Sequence, residues 1–144
     1  MISSRLTGRD SLLFVYGTLR PFAAIPMSRW LRRTARYLGP ATTAGRLYDL
    51  GSYPGMRAAR HRRDRVVGDV YRVVRLRVFR VLDQYEAGNA SCKPKFVRER
   101  CIVQLAQRRV RKTAWTYRYR LSVAGAPRIT GGDYREHRLP AGRA

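Results

Sequence analysis

Acidic residues are scarce in this chain: 9 Asp+Glu stand against 31 Lys+Arg, a formal net charge of +22 over 144 residues. Nearly all the positive charge is arginine, and its densest run is "RAARHRRDR", Arg57 to Arg65. A field of this sign attracts phosphates, anionic substrates or acidic membranes. The arginines are nevertheless spread along the whole chain, with no block of five consecutive basic residues. A nucleic-acid or other polyanion module is therefore the second reading of this composition, not the first. Cysteine is nearly absent. Cys92 and Cys101 are not spaced like a metal or redox pair and are too few for a disulfide framework, which suits a reducing compartment. The two histidines, His61 and His137, fall in Arg-rich, loop-like stretches and read as solvated side chains, not as ligands or bases. There is no GxGxxG, Walker loop, HExxH, CxxC or nucleophile elbow, so dinucleotide, P-loop, zincin and serine-hydrolase chemistry lack their motifs. No apolar run approaches a membrane span, and the opening "MISSRLTGRDSLLF" does not resemble a leader. The expected location is the cytoplasm, with no membrane partner.

What is present suits one folded domain, since 44% of the residues are hydrophobic. The pattern predicts a strand over Ser11–Tyr16 and a helix over Ser28–Leu38, capped by Ser28 and stopped by Gly39-Pro40. "TAGRLYDL" reads as a strand, "GSYPGM" as a turn with a short extended piece, and Val66–Val74 as a β-branched strand. Over Arg75–Gly88 the period switches, placing Leu76, Phe79 and Leu82 on one face of a helix. Two alternating stretches follow, "FVRERCIVQLA" and "RRVRKTAWTYRYRL", joined by a hairpin. On the second, Trp115, Tyr117, Tyr119 and Leu121 share a side. The expected fold is α+β: a small, mixed, mostly antiparallel β-barrel with flanking helices, because two helices cannot cover both faces of a wide open sheet. The expected organisation is a flexible N-terminal tail at 1–10, one domain at 11–123, and a Gly/Pro/Arg-rich tail at 124–144.

With few carboxylates, each one is informative. Asp49, Asp64, Asp69 and Glu99 lie where a nearby arginine can pair them. Asp83 and Glu86 end a helix in "LDQYEAG", where the macrodipole favours cations over anions; by this feature alone, Glu86 reads first as the partner of one of the many arginines and second as a functional acid. In "LLFVYGTLRPF" a buried strand stops at Gly17-Thr18. That arrangement suits either a simple bend or a loop whose backbone N–H groups face a ligand.

Taken together, "FVYGTLR", "LYDLGSYPGM", "VVGDVY", "LDQYE" and "AWTYRY" occur in an order and spacing that resembles the γ-glutamylcyclotransferase-like (AIG2-like) family, over roughly Leu12 to Tyr119. The resemblance implies a small barrel with a pocket at one mouth. It implies an enzyme that cyclises the γ-glutamyl group of a γ-glutamyl-amine or γ-glutamyl-amino acid to 5-oxoproline, releasing the amine. It also implies that Glu86 is the acid/base and that the loop Tyr16, Gly17, Thr18 and Leu19 holds the γ-glutamyl part. Gly17 would let the backbone approach the ligand closely, and Tyr53 and Tyr117 would line the pocket. No cofactor or metal is expected. The expected partner is a small γ-glutamyl molecule, with nucleic acid as the alternative through the basic surface, and the chain is expected to be a monomer or homodimer. It departs from the family pattern at Ala87, at Phe96 and in "PFAAIPMSRW", which bears on the leaving amine.

Overall fold

The computed structural model describes residues 6, 11–88 and 94–139. Along these residues run β1 (Leu12–Val15), α1 (Pro26–Thr34), β2 (Arg36–Ala44), β3 (Arg46–Asp49), β4 (Pro54–Arg57), β5 (Arg65–Arg72), α2 (Leu76–Ala87), β6 (Phe96–Leu105), β7 (Arg111–Tyr119) and α3 (Tyr134–Arg138). Five strands close a barrel in the order β1-β5-β2-β6-β7, and β3-β4 form a separate hairpin. Every barrel pairing is antiparallel except β1 with β7, which is parallel through Leu13 and Trp115. The mixed, mostly antiparallel barrel with flanking helices is therefore the observed architecture.

Strand alternation builds two cores. Leu12, Phe14, Val66, Val70, Val103 and Ala114 fill the inside of the barrel. The opposite pleat carries Leu13, Val15, Tyr71 and Tyr117 outward, where Leu31 of α1 and Val78, Phe79 and Leu82 of α2 cover them. Burying each of those α2 side chains contributes on the order of 1.5–3 kcal/mol, which holds the end of α2 against the barrel wall. The aromatic side of β7 is thus the outer one. The barrel takes the small side chains Ala114 and Thr116, and the Thr116 hydroxyl donates to the Phe14 carbonyl at 3.0 Å.

Two expectations change. The first helix spans Pro26–Thr34, not Ser28–Leu38: Pro26 sits at its first position, where a fixed φ and a missing N–H cost nothing, and Ser28 lies inside the first turn. Arg36 and Tyr37 pair with Arg72 and Tyr71 instead of extending the helix, and Gly39, at φ 127°, bulges within β2. Strand pairing offers this backbone long-range partners that outweigh the helical spacing of Leu31, Ala35 and Leu38. The second change concerns the C-terminal segment. Residues 124–139 belong to the expected tail, yet Ile129 and Tyr134 are 4% and 1% exposed. The Ile129 N–H donates to the Leu47 carbonyl at 2.8 Å and the Val67 N–H to the Gly132 carbonyl at 2.7 Å. The folded unit therefore continues past residue 123. The rest of that tail, at 140–144, and nearly all of the expected tail at 1–10 lie outside the described residues, as does Cys92.

Candidate active site

At one end of the barrel, outside the Phe14 ring, is a cavity of about 270 Å³, the small end of the range for ligand pockets. The loop after β1 supplies one wall through Tyr16, Gly17, Thr18 and Leu19. Glu86 lines the cavity from α2, Tyr53 from the turn before β4, and Tyr117 from β7. All seven residues named from the sequence are thus brought to one cavity.

Glu86 gets there by helical periodicity. It continues the stripe of Phe79 and Leu82 at spacings of seven and four, so the face that buries α2 also turns this carboxylate inward. Burial raises its pKa from 4.5 to about 7. Among the described residues its carboxylate has no hydrogen-bond or ion-pair partner. The other acids are placed differently. Asp69 pairs with Arg20 at 2.8 Å, Asp83 with Arg98 at 2.8 Å, Asp64 with Arg128 at 3.1 Å and Glu99 with Arg120 at 2.9 Å. Asp49 meets His137, not an arginine, at 2.8 Å, and Asp133 meets Arg20 at 3.0 Å. Glu136 is simply exposed.

The two inner tyrosines have their hydroxyls committed to the protein. Tyr16 donates to the Tyr117 carbonyl at 2.6 Å and accepts from the Met56 N–H at 3.1 Å. Tyr117 donates to Asp83 at 2.6 Å, and Arg98 grips the same carboxylate through two N–H groups at 2.8 and 3.1 Å. Burial, with the nearby Glu86 charge adding to it, holds the Tyr16 hydroxyl well above the usual phenol range. Burial and the Asp83 hydrogen bond do the same to Tyr117. Both therefore act as neutral clamps that tie the loop, β7 and α2 together, and they offer a ligand ring surface more than a polar handle.

The loop is anchored at both ends. The Arg20 N–H donates to the Gly17 carbonyl at 3.0 Å, and the buried Arg20 guanidinium bridges Asp69 and Asp133. The N–H groups of Thr18 and Leu19 have no acceptor among the described residues. Gly17 has a reason other than close approach to a ligand: a Cβ there would lie 2.6 and 2.8 Å from the Pro54 ring. Its missing side chain lets the "YGTL" and "SYPG" segments touch. Among the lining residues that sequence reasoning did not assign to the site are Tyr85 and Lys95. The motif tyrosine Tyr85 sits beside Glu86 in the chain, whereas Lys95 lies outside every motif and only the start of β6 brings it to the rim. Cys101 is inside the barrel, where burial pushes its thiol up to about 11, far from a reactive thiolate. Among the described residues no His, Cys, Asp or Glu cluster is disposed to hold a metal, and no helix is long and apolar enough to cross a membrane.

Solved structures of other proteins share this fold, among them the following three. YkqA from Bacillus subtilis superposes with a TM-score of 0.67 at 25% identity, covering 89% of this chain and 40% of its own. The protein ytfP from Escherichia coli gives 0.62 at 27%, over 88% and 97%. An AIG2-like protein from Mus musculus gives 0.64 at 19%, over 93% and 98%. The chain thus spans two fifths of the length of YkqA but nearly all of the other two. No curated protein matches the sequence. The family model for gamma-glutamyl cyclotransferase, AIG2-like, matches residues 13–136, and the chain belongs to that family.

Proposed function

We propose that the protein cyclises a γ-glutamyl amide to 5-oxoproline and a free amine, with Glu86 as its acid/base. The observation that carries this reading is the unpartnered, half-buried Glu86 carboxylate, its pKa raised to about 7, lining the same cavity as the free amides of Thr18 and Leu19. In the reaction, ionised Glu86 takes a proton from the substrate α-ammonium. The freed amine adds to the γ-carbonyl carbon and closes a five-membered ring. The oxygen of that carbonyl becomes an oxyanion, for which the Thr18 and Leu19 N–H groups are the available donors. Glu86 then returns that proton to the leaving nitrogen as the original C–N bond breaks, and the ring nitrogen passes its second proton to the departing amine, which leaves as an ammonium beside the neutral lactam.

No enzyme nucleophile or water takes part, because the nucleophile belongs to the substrate. Holding it in place is worth an effective molarity on the order of 10⁵ M or more, and positioned proton transfer adds about 10²- to 10⁴-fold. A folded-state value near neutrality suits one carboxylate that must first accept and then donate. The cytoplasm, where small γ-glutamyl compounds and reduced thiols occur together, is the location we assign to this activity. The test is 5-oxoproline release from a panel of γ-glutamyl amides, followed by chromatography. The wild-type protein should turn over at least one of them, and Glu86→Gln should lose about 100-fold or more. Equal turnover by the two proteins would remove Glu86 from the mechanism.

A further inference from the structure

We propose that Asp133, which does not line the cavity, is a positioning residue for the cavity loop and acts on it through Arg20. The C-terminal segment, outside every motif of the site, thereby becomes part of what holds the ligand. The kinetic side of this inference rests on the cyclotransferase reading above; the structural side does not.

Asp133 is a fixed post. The segment before it is bonded to two other parts of the fold: the Ile129 N–H donates to the Leu47 carbonyl at 2.8 Å, and the Val67 N–H to the Gly132 carbonyl at 2.7 Å. Gly132 sits at φ 71°, and a Cβ there would lie 1.9 Å from the Arg65 carbonyl oxygen, so the backbone enters Asp133 by a path that only glycine fits. After it, the Asp133 carboxylate caps α3. Its Oδ1 accepts from the Arg135 N–H at 3.0 Å and the Glu136 N–H at 3.4 Å. The same oxygen takes the Arg20 Nη1 N–H at 3.0 Å.

Arg20 carries that fixed point to the loop. Its Nε donates to Asp69 on β5 at 2.8 Å. Held at Nε by the barrel wall and at Nη1 by the C-terminal segment, the planar guanidinium cannot turn; held at Nε alone, it pivots about that bond. Its backbone sets the turn. The Arg20 N–H closes onto the Gly17 carbonyl at 3.0 Å, and the Ala23 N–H onto the Arg20 carbonyl at 3.0 Å. Thr18 and Leu19, whose N–H groups have no acceptor among the described residues, are the two residues inside that turn and line the cavity. A second contact follows the same route: the Phe22 ring lies 6.3 Å from that of Tyr134, which is buried.

A loop ordered only part of the time raises the apparent dissociation constant by the inverse of its ordered fraction. Once the ligand has ordered the loop, the chemistry proceeds as before. Loss of the Asp133 tie therefore enters KM and leaves kcat. General damage to the fold does the reverse, because it lowers the fraction of active protein without moving KM.

Asp133→Ser isolates the tie: serine still caps α3 but is one atom shorter and withdraws its oxygen from Arg20. A charge-assisted hydrogen bond at a part-buried site is worth about tenfold in an equilibrium constant. KM for a γ-glutamyl amide, and the inhibition constant of 5-oxoproline, should each rise about tenfold in this variant, with kcat within about twofold of wild type. Asp133→Asn keeps the oxygen without the charge and should rise about threefold. Arg128→Gln, which cuts the ion pair of the same segment to Asp64 at 3.1 Å without reaching Arg20, should keep the wild-type KM. Amide hydrogen exchange in the free protein supplies the second reading: the Arg20 N–H should exchange about tenfold faster in Asp133→Ser while the barrel amides stay protected. A wild-type KM and Arg20 exchange rate in Asp133→Ser, or in Asp133→Asn should the serine variant not fold, overturns the inference. So does an Arg128→Gln variant that raises KM as much. If wild type releases 5-oxoproline from no γ-glutamyl amide, the cyclotransferase reading fails, and the exchange experiment still decides whether Asp133 holds the loop.

Discussion

Glu86→Gln should move stability and activity in opposite directions, because one cause governs both. A value of about 7 against the ordinary 4.5 means that the folded chain disfavours the ionised carboxylate by roughly 3 kcal/mol at most. Glu86 is partly exposed, and solvent brings the effective cost down to on the order of 1–2 kcal/mol. The sign follows from proton counting. Between about 4.5 and 7 the folded protein holds more protons at this site than the unfolded chain does. Stability therefore falls as pH rises through that window, and the loss is complete above it. Glutamine never ionises, so the variant should match wild type near pH 4 (about the lower edge of the window) and exceed it near pH 8 (about a unit above it). For a chain of 144 residues, each kcal/mol corresponds to about 3 °C in Tm, so the gain at high pH should be roughly 3–6 °C. Over the same range the wild-type kcat/KM should rise as Glu86 ionises near pH 7, while the variant stays low and flat. Thermal melts followed by circular dichroism at the two pH values, beside the 5-oxoproline assay, supply both readings. A Tm difference independent of pH, or a variant less stable at the higher pH, would show that a cation holds this carboxylate ionised. The acid/base role would fall with that result.

Other consequences follow from the loop and the surface. Arg20→Met strands the buried Asp69 carboxylate with only the Tyr37 hydroxyl beside it and should cost about 3–5 kcal/mol in urea unfolding; a cost below about 1 kcal/mol would mean that water reaches the site. Gly17→Ala drives a Cβ into the Pro54 ring and should cost about 1–3 kcal/mol while raising KM. The same change in a Pro54→Ala background should cost clearly less, and purely additive costs would mean that Pro54 is not the reason for glycine. Short RNA should bind weakly at low salt and be released by physiological salt; tight binding in fluorescence anisotropy at that ionic strength would favour the polyanion reading of the +22 charge.

The barrel and the end of α2 were legible in the sequence because their signals are local. A β-branched run marks β5 and a change of period marks α2, whereas Glu86 is marked by the "LDQYE" resemblance, since an acid at a helix end amid so many arginines reads by itself as an ion pair. What stayed hidden depends on partners far along the chain. Leu31, Ala35 and Leu38 keep helical spacing, yet Tyr37 finds Tyr71 across the sheet and the strand prevails. Ile129 and Tyr134 are isolated apolar residues in a Gly/Pro/Arg-rich stretch with no period to reveal them, and Ile129 bonds to Leu47, more than eighty positions back. The role of Gly17 could not be read from "YGTL" at all, since the group that excludes a side chain is Pro54, in a different motif.

These long-range contacts explain why one acid in this chain can remain free for chemistry. Two arginines lie near the cavity. Arg98 is gripped by Asp83, one turn before Glu86, and is stacked over Phe79 and Trp115 at 4.5 and 4.6 Å. Arg118, whose charge reaches Tyr16, is paired with Glu99 at 3.2 Å. Arg98 holds a carboxylate through two N–H groups, and Arg118 shares Glu99 with Arg120. Arg20 is likewise divided between Asp69 and Asp133, which fixes the end of the loop that lines the cavity. In so basic a chain an isolated acid would ordinarily be captured by the nearest guanidinium and its pKa lowered. Here Arg98 and Arg118 are paired with other acids, Lys95 on the same cavity forms no ion pair with Glu86, and burial sets the Glu86 carboxyl near neutrality. The Asp83–Arg98–Tyr117 network therefore does more than hold α2 against β6 and β7. It keeps a cation away from the carboxylate one turn further along the helix.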